Sequence, residues 1–210
     1  MNHIIPAILA TDEQDFRSRS SSLDDAADMI QLDVLDNTLY PNTSWCDMDV
    51  LDGLDTSAWI ELHLMVDDPA TYIDRIREGG PVHRVIWHVE APVDHADLFL
   101  TCQSKGIECG LAIAPKTPIE ALRPFAEIVD EVLILGVEPG FAGQTIIPET
   151  IQKARDIHAH WPGTTLGFDG GVNAQTIPQL RDAGVTRFCV GGAIWKDPDP
   201  KTAFEVLRQI

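Results

Sequence analysis

Apolar residues gather in eight short runs, and most are followed by a stretch that spaces its apolar positions three or four apart. The runs are His3 to Leu9, Met29 to Leu35, Trp59 to Met65, Val82 to Val89, Ile107 to Ile113, Glu131 to Val137, Thr165 to Asp169 and Arg187 to Val190. Each has the length of a strand. The pattern predicts helices over Asp12 to Asp28, Asp47 to Leu54, Asp68 to Arg77, Val93 to Lys105, Pro118 to Ala126, Pro148 to His160, Gln175 to Ala183 and Thr202 to Leu207. Asp12 is a suitable N-cap, with Phe16, Leu23 and Ala27 on one face behind it. Pro69 opens the third helix and Gly79-Gly80-Pro81 closes it.

Strand and helix alternate at a spacing of roughly 25 residues. Alternation of this kind implies parallel strands joined by right-handed crossovers, and eight such units close a TIM barrel. The expected fold is α/β, a single (β/α)8 TIM barrel over residues 1–210. No linker, repeat or low-complexity segment divides the chain. A doubly wound open sheet is the competing arrangement, but no Gly-x-Gly-x-x-Gly follows the first strand.

Composition narrows the functional classes. A formal charge of −18 argues against nucleic acid, which is held by Lys and Arg on phosphates. Cys46, Cys102, Cys109 and Cys189 form no C-x-x-C pair and read as reduced thiols. The first residues lack the basic start and apolar core of a signal peptide, and no apolar run approaches the roughly 18 residues of a membrane span. A cytoplasmic protein acting on a small molecule, with no nucleic-acid or membrane partner, is the expectation.

In a barrel the chemistry gathers at the carboxyl ends of the strands. Gln31, Asp33, His63, His88 and Asp169 all fall at or near such ends. Two carboxylates with one or two imidazoles suit a divalent metal. Taken singly, His63 reads equally as a ligand or a buried structural histidine, and His88 reads more readily as a satisfied polar group beside its strand. Gln31 and Asp33 lie two apart and share the inward face, where an unpaired carboxylate is costly. Glycines follow the last three strands: Gly140 to Gly143, Gly170-Gly171 and Gly191-Gly192. One such cluster reads as a tight turn. Three converging clusters read as an anion site built from backbone N–H groups, without a neighbouring lysine or arginine.

These motifs, in this order and over nearly the full length, resemble the ribulose-phosphate 3-epimerase family. Pro6-Ala7-Ile8-Leu9 is similar to its Pro-Ser-Ile-Leu, and Gln31-Leu32-Asp33-Val34-Leu35-Asp36 to its His-x-Asp-Val-Met-Asp. Tyr40-Pro41-Asn42, Leu62-His63-Leu64-Met65 with Val66-x-x-Pro69, and His88-x-Glu90 match further motifs, as do Pro139 to Gln144 and Asp169-Gly170-Gly171-Val172. The resemblance implies a TIM barrel of the ribulose-phosphate-binding type and interconversion of D-ribulose 5-phosphate and D-xylulose 5-phosphate through an enediolate, with Asp33 and Asp169 as base and acid. It implies one divalent metal ion (Zn²⁺, Mn²⁺, Fe²⁺ or Mg²⁺) on Asp33, His63, Asp169 and the residue at position 31. It places substrate or phosphate contacts on Ala7, His63, Gly140, Gly143, Gly170, Gly171, Gly191 and Gly192, and it implies a homo-oligomer.

The chain departs from the family pattern around the mouth. Gln31 replaces a metal-binding His, Ala7 and Gly136 replace serines, Asn37 replaces a glycine, and Glu138 stands where Asn or Asp is usual. An amide oxygen is a harder and weaker ligand than imidazole, so weaker metal binding or a shift toward Mn²⁺ or Mg²⁺ is expected. The alternatives are an epimerase for another ketose phosphate, such as a hexulose 6-phosphate, or a non-catalytic sugar-phosphate-binding homologue. A decarboxylase of the orotidine-phosphate type would need a lysine where Leu35 stands, and no lysine falls inside a strand to serve a Schiff-base aldolase.

Overall fold

A computed structural model describes residues 3–210; Met1 and Asn2 of the expected 1–210 span lie outside the described residues. Eight parallel strands close a barrel in sequence order, each hydrogen-bonded to the next and the last to the first. They are β1 (His3–Ile8), β2 (Met29–Val34), β3 (Trp59–Leu64), β4 (Val82–His88), β5 (Glu108–Ile113), β6 (Glu131–Leu135), β7 (Leu166–Asp169) and β8 (Arg187–Val190). The helices are α1 (Glu13–Ser22), α2 (Met48–Asp52), α3 (Ala70–Ile73), α4 (His95–Ser104), α5 (Pro148–His160), α6 (Ile177–Asp182), α7 (Gly192–Trp195) and α8 (Pro200–Arg208).

The two-residue period of the strands sorts side chains into two cores. Outward residues such as Ile30, Leu32, Leu62, Trp87, Ile134 and Phe168 pack between barrel and helices. Ile5, Ala7, Ile86, Ala112, Leu133, Leu135 and Cys189 form a separate cluster inside the barrel. Burying a Leu, Ile or Phe contributes about 1.5–3 kcal/mol, so the outer layer dominates stability.

Helix ends follow local chemistry. The Asp12 side chain accepts from Asp15 N at 2.8 Å and caps α1, as expected. The helix stops at Ser22 rather than Asp28. Ser20, Ser21 and Ser22 turn their hydroxyls back onto the carbonyls of Arg17, Ser18 and Arg19, the competition that serines impose on a helix. Leu23 and Ala27 are nevertheless buried. The helix expected from Asp68 to Arg77 is regular only over Ala70–Ile73, then tightens into three-residue turns before Gly79 at φ 71°. The segment expected to be helical to Ala126 is a 3₁₀ turn over Ile119–Leu122, because Pro124 has no N–H to continue it. Helix α5 keeps the predicted bounds Pro148–His160. Helix α7 was not expected; it follows directly on Gly191.

The amino-terminal end of the barrel is filled by charge. Arg84 Nη1 donates to Glu61 at 3.0 Å and Glu131 at 2.9 Å, while Arg187 pairs with Glu61 at 2.6 Å and Glu131 at 2.5 Å. Glu108 closes the set on Arg84. Gly167 on β7 makes room for it: a Cβ there would lie 1.9 Å from Glu131 Oε1.

Candidate active site

Strand register places the candidate residues side by side at the opposite, carboxyl-terminal end. Asp33 on β2 pairs with His63 on β3, Gln31 with both Ala7 and Glu61, and Asp169 on β7 with Leu135 and Cys189. The inward parity of β2, β3 and β7 then points the two carboxylates and the imidazole at one another. His63 Nδ1 stands 3.0 Å from Asp33 Oδ1 and 3.3 Å from Asp169 Oδ2. Gln31 Nε2 donates to the same oxygens, at 2.7 and 2.9 Å.

Behind His63 a second row supports it. His63 Nε2 meets His88 Nε2 at 3.1 Å, and His88 Nδ1 lies 3.0 Å from both Glu90 Oε2 and the Tyr40 hydroxyl. Glu90 accepts in turn from Ala114 N at 2.9 Å. His63 and His88 are fully buried. The tail of the β2 loop, Tyr40-Pro41-Asn42, is thereby tied to β4. The loop also reaches across the mouth, where Asn42 Nδ2 donates to Gly140 O at 2.7 Å.

Electrostatics follow from this packing. Burial raises the Asp33 carboxyl, the neighbouring Asp169 charge adds to the shift, and hydrogen bonds from His63 and Gln31 offset part of it, leaving a value of about 6. Burial opposes the His63 imidazolium, but its hydrogen bonds to Asp169 and Asp33 win and push the ring up to about 10. Burial lowers His88. Burial works against the Glu90 carboxylate, yet the hydrogen bond to His88 holds it down at about 2.

The donor set fits a divalent cation. Lone-pair atoms of Asp33, His63 and Asp169 lie within 4.8 Å of one another, and two carboxylates with one imidazole suit Zn²⁺, Mn²⁺, Fe²⁺ or Mg²⁺. Gln31 turns its nitrogen toward the carboxylates, while its Oε1 is buried and has no hydrogen-bond partner. A half-turn of the amide exchanges the two atoms and brings an oxygen donor to the carboxylates. Bringing a cation onto His63 Nδ1 displaces the proton held there.

A cavity of roughly 590 Å³ opens above the carboxylates. Asp33, Asp169, Ala7, Gly140, Gly143, Gly170, Gly171, Gly191 and Gly192 line it, with Leu9, Leu35 and Met65 as an apolar wall. His63 and Gln31 lie behind Asp33 and Asp169 and do not line it. Gly171 has φ 72°, and a Cβ there would lie 2.7 Å from Ile146 N, so the backbone approaches too closely for any other residue. Gly136 has no room for a serine: its Cβ would lie 2.3 Å from the Phe168 ring. Glu138 pairs with Lys116 at 2.7 Å, which neutralises the extra carboxylate at the rim. Trp195 Nε1 donates to Ala7 O at 2.6 Å and fixes α7 against β1.

Three residues of this cavity were not expected from the sequence. No cation was read beside the glycine clusters, yet Arg19 and Lys196 both line the cavity. Lys196 stands four residues after Gly192, a nearness that carries meaning only once α7 and the Gly143 loop are placed; Arg19 comes from α1, with no local signal. Trp195 is likewise hidden, because the apolar pattern gives no helix between Ala183 and Thr202, where the structure has α7.

The fold and the site together define a (β/α)8-barrel enzyme with a carboxylate pair at its mouth. Solved structures agree on the barrel. A mutant tryptophan synthase α-subunit from the hyperthermophile Pyrococcus furiosus superposes with a TM-score of 0.72 at 18% identity, covering 100% of both chains. A 3-hexulose-6-phosphate synthase superposes at 0.69 and 16% identity, covering 100% of this chain and 99% of the other. Residues 3–195 match the profile of the ribulose-phosphate 3 epimerase family. The ribulose-phosphate 3-epimerase of Mycobacterium tuberculosis (strain H37Rv) is 31% identical over 98% of this chain and 91% of its own. That of Schizosaccharomyces pombe is 30% identical over 98% and 92%. The chain belongs to the ribulose-phosphate 3-epimerase family, and so to the isomerase class of enzymes.

Proposed function

We propose that this protein is a metal-assisted sugar-phosphate 3-epimerase that interconverts D-ribulose 5-phosphate and D-xylulose 5-phosphate. The observation that carries the reading is the placement of Asp33 and Asp169 on one imidazole, both lining the cavity. Epimerisation removes the C3 proton to one carboxylate, leaving an enediolate, and returns a proton to the opposite face from the other. Asp33, pushed up to about 6, is suited to hold and release a proton near neutral pH. Either direction of reaction exchanges the two roles. The glycine loops orient the substrate through its phosphate, and the apolar wall of Leu9, Leu35 and Met65 keeps water from the enediolate.

Asp33, His63 and Asp169 would hold a divalent cation, with Gln31 as a fourth donor after its amide turns. Such a cation stabilises negative charge on the enediolate oxygens. The remaining steps belong to the side chains already named. A cytoplasmic homo-oligomer completes the reading. The location is supported by the free cysteines and by the name of a rice relative, a "ribulose-phosphate 3-epimerase, cytoplasmic isoform", 29% identical over 98% of this chain, and the homo-oligomer rests on the family resemblance alone. Among the described residues no helix is long and apolar enough to cross a membrane.

The test is NMR in D₂O with D-ribulose 5-phosphate, with Mn²⁺ or Zn²⁺ added and with EDTA as the control. Deuterium entering C3 together with the appearance of xylulose 5-phosphate is expected with metal and not with EDTA. Absence of exchange from folded protein under every metal would remove this substrate and favour a hexulose phosphate or a binding role.

A further inference from the structure

We infer that Lys196 supplies the charged half of the phosphate grip, a contact that the glycine loops alone lack. The inference rests on reading the cavity as a sugar-phosphate site. At a formal charge of −18, an anionic substrate meets an unfavourable overall field and needs a local cation.

The chain has five lysines, and four of them are engaged within the protein. Lys116 pairs with Glu138 and Lys201 with Asp25. Lys105 donates to the carbonyls of Asp74 and Ile76, and Lys153 to those of Ala114, Pro115 and Thr117. Lys196 has no ion-pair partner among the described residues, and it lines the cavity. Its Nζ lies 3.0 Å from where a Cβ on Gly143 would stand, and 3.9 Å from the equivalent point on Gly192. The ammonium therefore overhangs the space between the β6 loop and the Gly191-Gly192 turn.

Arg19, the other cavity cation, is already committed: it pairs with Asp15 at 2.8 Å and lies 5.9 Å from the Trp195 ring centre. Lys196 is exposed, so its charge carries no cost of burial. A compact ammonium with three donors suits a phosphate monoester dianion. A phosphate contact that is the same in substrate and transition state is uniform binding, so its loss is read in KM more than in kcat.

The experiment compares wild type with Lys196→Met and Lys196→Arg. Inorganic phosphate binding is measured by calorimetry, and KM and kcat are measured with D-ribulose 5-phosphate. Lys196→Met is expected to weaken phosphate binding and raise KM by roughly tenfold or more, with a smaller change in kcat. Lys196→Arg is expected to recover most of the loss. The KM of wild type should rise with salt more steeply than that of Lys196→Met. A folded Lys196→Met with unchanged phosphate affinity and KM would overturn the assignment, as would a wild type that binds no phosphate. Phosphate binding that depends on Lys196 without turnover of the pentulose phosphate would leave the lysine assigned and remove only the proposed substrate.

Discussion

His63 and His88 face each other nitrogen to nitrogen, Nε2 to Nε2 at 3.1 Å. One nitrogen must carry the hydrogen and the other the lone pair, so the tautomers of the two rings are linked. If His63 offers its Nδ1 lone pair to a cation, its Nε2–H donates to His88. His88 must then carry its hydrogen on Nδ1 and give it to Glu90, whose carboxyl is held ionised. Replacing His88 with Ala leaves a buried donor on His63 without a partner. Metal affinity, followed by Mn²⁺ titration with EPR detection, should fall roughly 10–100-fold. An unchanged affinity would show that His63 keeps its orientation without this support.

Gln31 tests the other side of the same cluster. Its amide now bridges Asp33 and Asp169 through the nitrogen. Gln31→His exchanges the amide for an imidazole, a better zinc donor, and should tighten Zn²⁺ binding by roughly tenfold or more in a competition with a chromophoric chelator. Equal affinity in both proteins would mean that position 31 stays outside the coordination sphere.

The two carboxylates should be individually indispensable to proton transfer. Asp33→Asn and Asp169→Asn keep the shape of the side chains and remove the base or acid. Each should lower kcat by about 10²–10⁴ in a coupled xylulose 5-phosphate assay. A variant that retained wild-type kcat would have no part in moving the proton.

Stability at the far end of the barrel depends on an absent side chain. Gly167→Ala drives a methyl toward Glu131 Oε1, which cannot swing away because Arg84 and Arg187 hold that carboxylate. A loss of about 1–3 kcal/mol is expected in urea denaturation. No shift in midpoint would mean that the ion cluster relaxes freely.

The same cluster sets a pH dependence. Three carboxylates (Glu61, Glu108 and Glu131) face two guanidinium groups. Burial, reinforced by the Glu61 charge, outweighs the two arginines and raises Glu131 to about 7. A folded value above the ordinary 4.5 means that the native state keeps a proton which the unfolded chain has already released. This contribution is fully present below about 4.5 and is lost as pH rises to about 7, by up to about 3 kcal/mol. Glu131→Gln should flatten that part of the curve, read from urea midpoints at pH 5 and 7.5 in EDTA. Parallel curves for the two proteins would place the titration elsewhere.

The barrel itself was legible, because eight apolar runs such as Val82 to Val89 match strands such as Val82–His88 within a residue or two. Helix lengths were less legible. A three-serine run and Pro124 end helices that apolar spacing alone would carry further. In the site, Asp33, His63 and Asp169 could be found because each closes an inward strand face. Lys196 could not be weighed, since its meaning comes from Gly143, distant in sequence and brought near only by barrel closure. The ion cluster was hidden for a related reason. Glu61, Arg84, Glu131 and Arg187 sit near strand starts and pass for solvent-facing charges until the barrel closes around them.

That buried ring of charge also acts as a registration mark. Its members come from β3, β4, β5, β6 and β8. Because strand side chains alternate, slipping any one of these strands by a single residue would turn its charged group out among the helices and leave its partners unmatched inside. The residues above it are apolar on both faces of the strands, so hydrophobicity alone discriminates weakly between alignments. The charges distinguish one of them, and they fix β3, β6 and β8, the strands to which β2 with Asp33 and β7 with Asp169 are hydrogen-bonded.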